Sequence, residues 1–244
     1  MTSKCLNCAA DVTLNYCPQC GQKVSTHRYS IKHFVEHDLI HGVWHVDKGV
    51  LFTLKELFTR PGHGVREFIE GKRVNYFSFV TLILLIVTIS TMLAPYVHVK
   101  MADLMPQQTR EMMNSVEKFM SAHPKLVLII SIPIYSLFSF AWFNKARLNY
   151  SEHLVLNSYR IIPEMIFGLL VSIVTIFYTN TAVIAFLYLG FITLFSFLYS
   201  IYFYFQFFSV YGYSKSGLIF RSIMMPISYI LLSFLSGIAI GVAK

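Results

Sequence analysis

From Phe77 onward the chain is a series of apolar blocks divided by short polar breaks, at about Phe77–Ala94, Leu126–Phe143, Ile161–Tyr178, Val183–Phe205 and Leu218–Val242. Each is close to the roughly 20 apolar residues needed to cross a bilayer as a helix. Before Phe77 the pattern is different. Ile31, Phe34, Val35, Leu39 and Val43 recur at helical spacing, and Leu51, Leu54, Leu57 and Phe58 do the same. Pro61-Gly62 is expected to stop that second helix. A third short helix, about Val65–Glu70, follows with Gly71 as its C-cap. Short apolar faces of this kind lie on a membrane surface or against a bundle. Three regions result: 1–26, which carries neither pattern, 27–75 with amphipathic helices, and 76–244 as a transmembrane bundle.

Composition agrees with a membrane chain. Hydrophobic residues make up 55% of the 244, only 13% are charged, and mean hydropathy is +0.57. An ordinary soluble domain carries about 25% charge. The N-terminus is polar, with no apolar core of a cleavable signal. Positive charge clusters at segment ends: Lys72 and Arg73 before the first block, Lys145, Arg147 and Arg160 between the second and third, Lys215 and Arg221 between the fourth and fifth. With five spans these regions share one side, which the excess of Lys and Arg marks as cytoplasmic. The 96–124 loop is a mild counter-signal. The N-terminus is therefore expected in the cytoplasm. Arg60, Arg66, Lys72 and Arg73 are placed to meet lipid headgroups.

All four cysteines fall in the first 20 residues, as Cys5-x2-Cys8-x8-Cys17-x2-Cys20. Two CxxC pairs supply four thiolates, a closed tetrahedral set for structural Zn²⁺ with no open position for catalysis. Two disulfides would need an oxidising compartment, and a redox CxxC would need a thioredoxin-like setting that is missing from the pattern. The expected fold is thus an all-α polytopic membrane protein of about five transmembrane helices with a small N-terminal zinc ribbon.

Two further polar sets stand out. His33, His37, His41 and His45 are spaced four apart, so successive pairs are neighbours on a helix. A metal or proton site there would use His41, His45 and Asp47, then His37; the alternative is a polar face at the headgroup boundary. Between the second and third blocks His153, Asn157, Arg160 and Glu164 share one helix face, with Glu152 adjacent. An acid at the edge of a span needs a partner, and Arg160, four residues before Glu164, is the natural one. This set is either an anchoring ion pair or part of a polar pocket, with Tyr188, Tyr199, Tyr202 and Tyr204 of the fourth block as potential lining.

The motifs CPxCG, HxxxHxDKG, TLKELFTRPG, REFIEGKR and NYSEHLVLNSY together resemble a bacterial family of uncharacterised multi-pass membrane proteins with an N-terminal zinc ribbon, classed as a domain of unknown function. The resemblance extends over most of the chain, with its specific motifs in 5–80 and 149–159. It implies an inner-membrane location and no known activity. No P-loop, GxSxG or HExxH is present. The expectation is a docking or scaffold head on a membrane bundle, in contact with lipids and with a protein partner through the ribbon. The alternative is a transporter or lipid-acting enzyme with a His/Glu site at the cytoplasmic membrane face. Nucleic acid is disfavoured, because no basic cluster with interleaved aromatics accompanies the ribbon. The oligomeric state is not written in the sequence.

Overall fold

The computed structural model describes residues 3–25, 30, 49–99, 101–104 and 122–242. The expected histidine helix, with His33, His37, His41, His45 and Asp47, lies outside the described residues. Two short strands, β1 (Ser3–Lys4) and β2 (Asp11–Val12), pair antiparallel with Ser3 opposite Val12. The rest is helical: α1 (Gly49–Thr59), α2 (Pro61–Ile69), α3 (Phe79–Leu93), α4 (Pro124–Trp142), α5 (Tyr150–Arg160), α6 (Ile162–Phe177), α7 (Thr181–Ala185), α8 (Thr193–Phe208) and α9 (Lys215–Val242). A π-helical stretch, Phe186–Ile192, joins α7 to α8.

Five helices among the described residues are long and apolar enough to cross a membrane. Their outward faces are apolar at helical spacing, for example Leu85, Ile89 and Met92 on α3 and Leu170, Ile173, Val174 and Phe177 on α6. So much exposed apolar surface on every long helix is what a lipid-facing bundle presents and what a water-facing monomer avoids. The third candidate window, Tyr150–Phe177, is two helices with a break at Ile161. Pro163 sits in the first turn of α6, where its missing N–H costs nothing.

The strip before the first span differs from expectation. As expected, α1 ends at Thr59, just before Pro61-Gly62; the difference is that Pro61 already occupies the first turn of α2 and Gly62 lies inside it, so the third helix starts four residues before the expected Val65. A Cβ at Gly62 would stand 2.4 Å from both the Phe203 carbonyl oxygen and the Phe207 nitrogen. Gly62 is therefore the point where α2 meets the end of α8. Its N–H donates to Gln206 Oε1 (3.1 Å). Val65, Phe68 and Ile69 are buried in the main core with Phe203 and Phe207. Helix α2 is thus a packed element, not one resting on headgroups by its apolar face.

The peptide at Phe77 fixes where the first span begins. Its N–H donates to Thr53 Oγ1 (2.7 Å), and its carbonyl accepts from the Tyr159 hydroxyl (2.8 Å). Tyr199 in turn donates to the Leu57 carbonyl at 3.0 Å. On the same end of the bundle Lys145 donates to the Gly212 carbonyl, while Lys145 and Arg221 both lie over the Tyr213 ring. Two of the three positive regions that the charge pattern assigns to one side therefore meet.

Candidate metal centre and buried polar cluster

The head is built from two matching turns. In the first, Cys5 N–H donates to Ala10 O and Ala9 N–H to Cys5 O; in the second, Cys17 N–H donates to Gln22 O and Gly21 N–H to Cys17 O. Each turn needs a residue of positive φ just after its second cysteine, and Ala9 (61°) and Gly21 (75°) supply it. The β1–β2 pair flanks the first turn, and a Tyr16–Lys23 bridge flanks the second.

This repetition brings the four sulfurs within 4.8 Å of one another. Cys5 and Cys20 are 3.6 Å apart and Cys8 and Cys17 3.5 Å apart, all four as free thiols. A tetrahedral centre with metal–sulfur bonds near 2.3 Å has sulfur–sulfur edges of about 3.8 Å, so the set fits such an ion. It also needs one. The Cys8 amide holds the Cys5 thiol down to about 7. At Cys8 the Ala10 amide favours the thiolate, but burial and the neighbouring sulfurs outweigh it and push the thiol up to about 12. One thiolate forms readily and the next is opposed, a conflict that a divalent cation removes. Among the described residues this is the one grouping of three or more potential metal ligands.

The head is fastened to the bundle. Gln22, almost fully buried, donates through Nε2 to Gly71 O (2.8 Å) and accepts at Oε1 from the Arg73 N–H (3.2 Å). Gly71 ends α2 at φ +114°, and a Cβ there would come within 2.8 Å of Leu6. The sequence offered no signal for Gln22.

The four cations expected at headgroups all have protein partners. Arg60 pairs with Glu56 (2.6 Å) and Glu67 (3.3 Å) and is held further toward its charged form by them. Arg66 caps the end of α8 by donating to the Gln206 and Phe207 carbonyls (3.3 and 3.2 Å). Lys72 pairs with Glu67 (3.6 Å), and Arg73 donates to Phe68 O and lies over its ring. Arg60 and Lys72 remain nearly half exposed.

Helix α5 carries the other expected set. From Ser151 to Arg160 every residue but Leu154 is buried, so its polar face points into protein. His153 Nδ1 meets Ser139 Oγ at 2.8 Å. Asn157 donates to Ser139 Oγ (3.0 Å) and Ser136 Oγ (3.3 Å), and its Oδ1 accepts from the Tyr204 hydroxyl at 2.5 Å. Arg160 Nη1 reaches Glu164 Oε1 (2.5 Å) and Ser200 Oγ (2.8 Å), with its guanidinium 3.9 Å from the Tyr135 ring centre. His153 with Asn157, and Arg160 with Glu164, thus form two adjoining parts of one buried polar layer between α4, α5, α6 and α8.

Glu152 stands apart from this layer. It completes a capping box, accepting from the Asn149 N–H (2.7 Å) while Asn149 Oδ1 accepts from the Glu152 N–H (2.9 Å). An acid three residues after an N-cap Asn satisfies the helix start. Of the four tyrosines named as potential pocket lining, Tyr188 lines the bundle's cavity, while Tyr199, Tyr202 and Tyr204 bond to Leu57, Gln206 and Asn157. Ser136, Ser139 and Ser200 complete the layer and were not legible as site residues.

Residues 47–91 match the family described as Protein of unknown function (DUF3667). That stretch spans α1, α2, the Gly71–Arg73 seat of the cysteine head and α3 as far as Thr91. No curated protein and no solved structure matches the chain.

Proposed function

We propose that the protein is a multi-pass protein of the bacterial inner membrane, with its N-terminus in the cytoplasm, whose four-cysteine head holds a structural Zn²⁺ and serves as a docking or scaffold module on the bundle. The observation that carries this reading is the closed four-sulfur set fastened to the bundle by Gln22. A closed set leaves no position for substrate, so the metal's work is to fold a segment too short to build a core. The outer face of the head exposes Leu14 and Tyr16, apolar surface suited to a protein partner. Arg60 and Lys72 keep enough exposure to meet headgroups.

Metal analysis of the purified protein tests the reading. One zinc per chain, lost on Cys17→Ser, is the expected result; a metal-free chain with intact cysteines overturns it. A cytoplasm-only reporter fused at the C-terminus should stay silent if five spans follow a cytoplasmic N-terminus. A second reading, a transporter or lipid-acting enzyme, is favoured by one observation: the Arg160–Glu164 pair adjoins a large cavity in the bundle.

A further inference from the structure

The bundle holds a half-open cavity of about 1080 Å³ that the zinc reading does not use. Ala94, Val99, Ala122 and Lys125 line one end; Tyr135, Glu164 and Ser200 line the other. Along α6 it extends from Thr175 to Glu164, about 16 Å at 1.5 Å rise per residue. That is roughly half of a 30 Å hydrocarbon core. Hydroxyls recur through its depth at Ser90, Ser131, Ser172, Tyr188 and Ser196, among apolar walls such as Leu128, Met165 and Phe197. Ser131 donates to Leu128 O, and Ser172 and Tyr188 both donate to Gly168 O, so their hydrogen-bonding demand is met within the bundle, whereas Ser90 is not so served.

The deep end carries the strongest sign of a ligand. Tyr135, Glu164 and Ser200 line the cavity and also touch Arg160, so the guanidinium lies one side-chain layer beneath the floor. Arg160 is fully buried, yet only Nη1 is engaged; Nε and Nη2 have no partner among the described residues. These two nitrogens form the side-on edge that takes two oxygens of an oxyanion at once. Ser90 Oγ, in the cavity wall, is also buried without a partner. Among the described residues, the formal charges along the cavity and its floor are Lys125, Arg160 and Glu164. Their sum is one positive charge, carried by Lys125 at the opposite end from the paired Arg160 and Glu164.

We propose that this cavity is a binding site for a phosphodiester group, drawn in past Lys125 and received by the Nε/Nη2 edge of Arg160 when the floor side chains turn aside. A phosphodiester carries one negative charge, equal to the net charge along the cavity, and Lys125 at the opposite end supplies the attraction that draws it in. Its oxygens give Ser90 Oγ, buried without a partner, an acceptor that an acyl chain lacks. Glu164 stays on Nη1 and keeps the guanidinium compensated while the cavity is empty. The group has two sources, a phospholipid head or a free glycerophosphodiester, and both present the same chemistry.

Delipidated full-length protein in detergent would be titrated with dioleoylphosphatidylglycerol, with soluble glycerophosphoglycerol, and with dioleoylglycerol and oleate as controls, using native mass spectrometry. Saturable binding of one phosphodiester per chain is expected, with dioleoylglycerol and oleate much weaker. Preference for the lipid assigns a membrane source and preference for the soluble diester a free one. Ser196→Phe, which fills the cavity, should weaken binding about tenfold or more, as should Arg160→Lys, which keeps the charge and loses the two-pronged edge. Lys125→Gln should weaken it by a smaller factor. Circular dichroism would confirm folding, and Ser196→Phe and Lys125→Gln keep the test valid if Arg160→Lys does not fold. No saturable binding of either diester, equal binding of oleate or dioleoylglycerol, or unchanged binding by folded Ser196→Phe would overturn the proposal.

Discussion

Gly62→Ala isolates the contact that joins the strip before the first span to the C-terminal end of α8. The added methyl would stand 2.4 Å from the Phe203 carbonyl oxygen and the Phe207 nitrogen and 2.6 Å from Gln206 Cβ. Two of these are helix backbone atoms and cannot swing away, so α2 and α8 must separate by about 1 Å to reach ordinary contact. That movement stretches the Gly62–Gln206 bond (3.1 Å) and both Arg66 bonds to the end of α8 (3.3 and 3.2 Å). Overpacking costs about 1–3 kcal/mol, and bonds to a charged donor contribute about 1.5–3 kcal/mol each. The better helix propensity of alanine returns about 1 kcal/mol. A net loss of about 2–4 kcal/mol is expected. Gly168→Ala is the matched control, since a Cβ there meets nothing within 4 Å, and it should be neutral or stabilising by up to about 1 kcal/mol. Denaturant unfolding of purified protein in one detergent would compare the three chains. If Gly62→Ala is as stable as Gly168→Ala, the close approach of α2 to α8 is wrong.

Gln22→Ala should leave the Gly71 carbonyl and the Arg73 N–H unpaired, at about 1–3 kcal/mol, and raise hydrogen exchange at 71–73. Chelation of the metal should have the same local effect, and unchanged exchange in both cases would refute the link between head and bundle. Tyr204→Phe removes the donor from a fully buried Asn157 Oδ1 and should destabilise by about 1–3 kcal/mol. Tyr202→Phe, on a side chain nearly half exposed, should cost far less; equal effects would argue against the buried layer. His63 is held toward its neutral form by burial, then by Arg66 and Arg60, and its Nδ1 has no partner among the described residues. The unfolded chain therefore binds the proton more readily, so this contribution is full above about pH 6.5, the unfolded value. It should decline as pH falls toward the lower folded value, and His63→Gln should flatten that part of a stability–pH profile.

The long apolar blocks were legible because membrane helices write their length directly into composition, and each expected span falls within a few residues of an observed helix. The Arg160–Glu164 pair was also legible, since four-residue spacing survives the break at Ile161. The strip at 60–73 was not. Proline and glycine mark a chain reversal and a tight helix contact with the same letters. What distinguishes them here is Phe203 and Phe207, about 140 residues away. Glu152 was assigned to the polar site although Asn149-x-x-Glu152 is itself a helix-start signature. The Ser136, Ser139 and Ser200 partners are single hydroxyls in apolar runs, where nothing local separates an inward serine from an outward one. The histidine helix stays an expectation of the sequence alone.

The bond between Gln22 and Gly71 also sets an order of events during synthesis. The two residues are 49 positions apart, about 2–10 s of chain elongation at common rates. In that interval all the cysteines have been made, while the first span, which begins at Phe79, has not. The head can therefore fold around its four cysteines before the first long apolar helix is made. Its docking surface arrives with the last residues ahead of the first membrane helix. Closing the Gln22 contact thus becomes possible once the head and residues 71–73 have both been made, just ahead of the first long apolar helix.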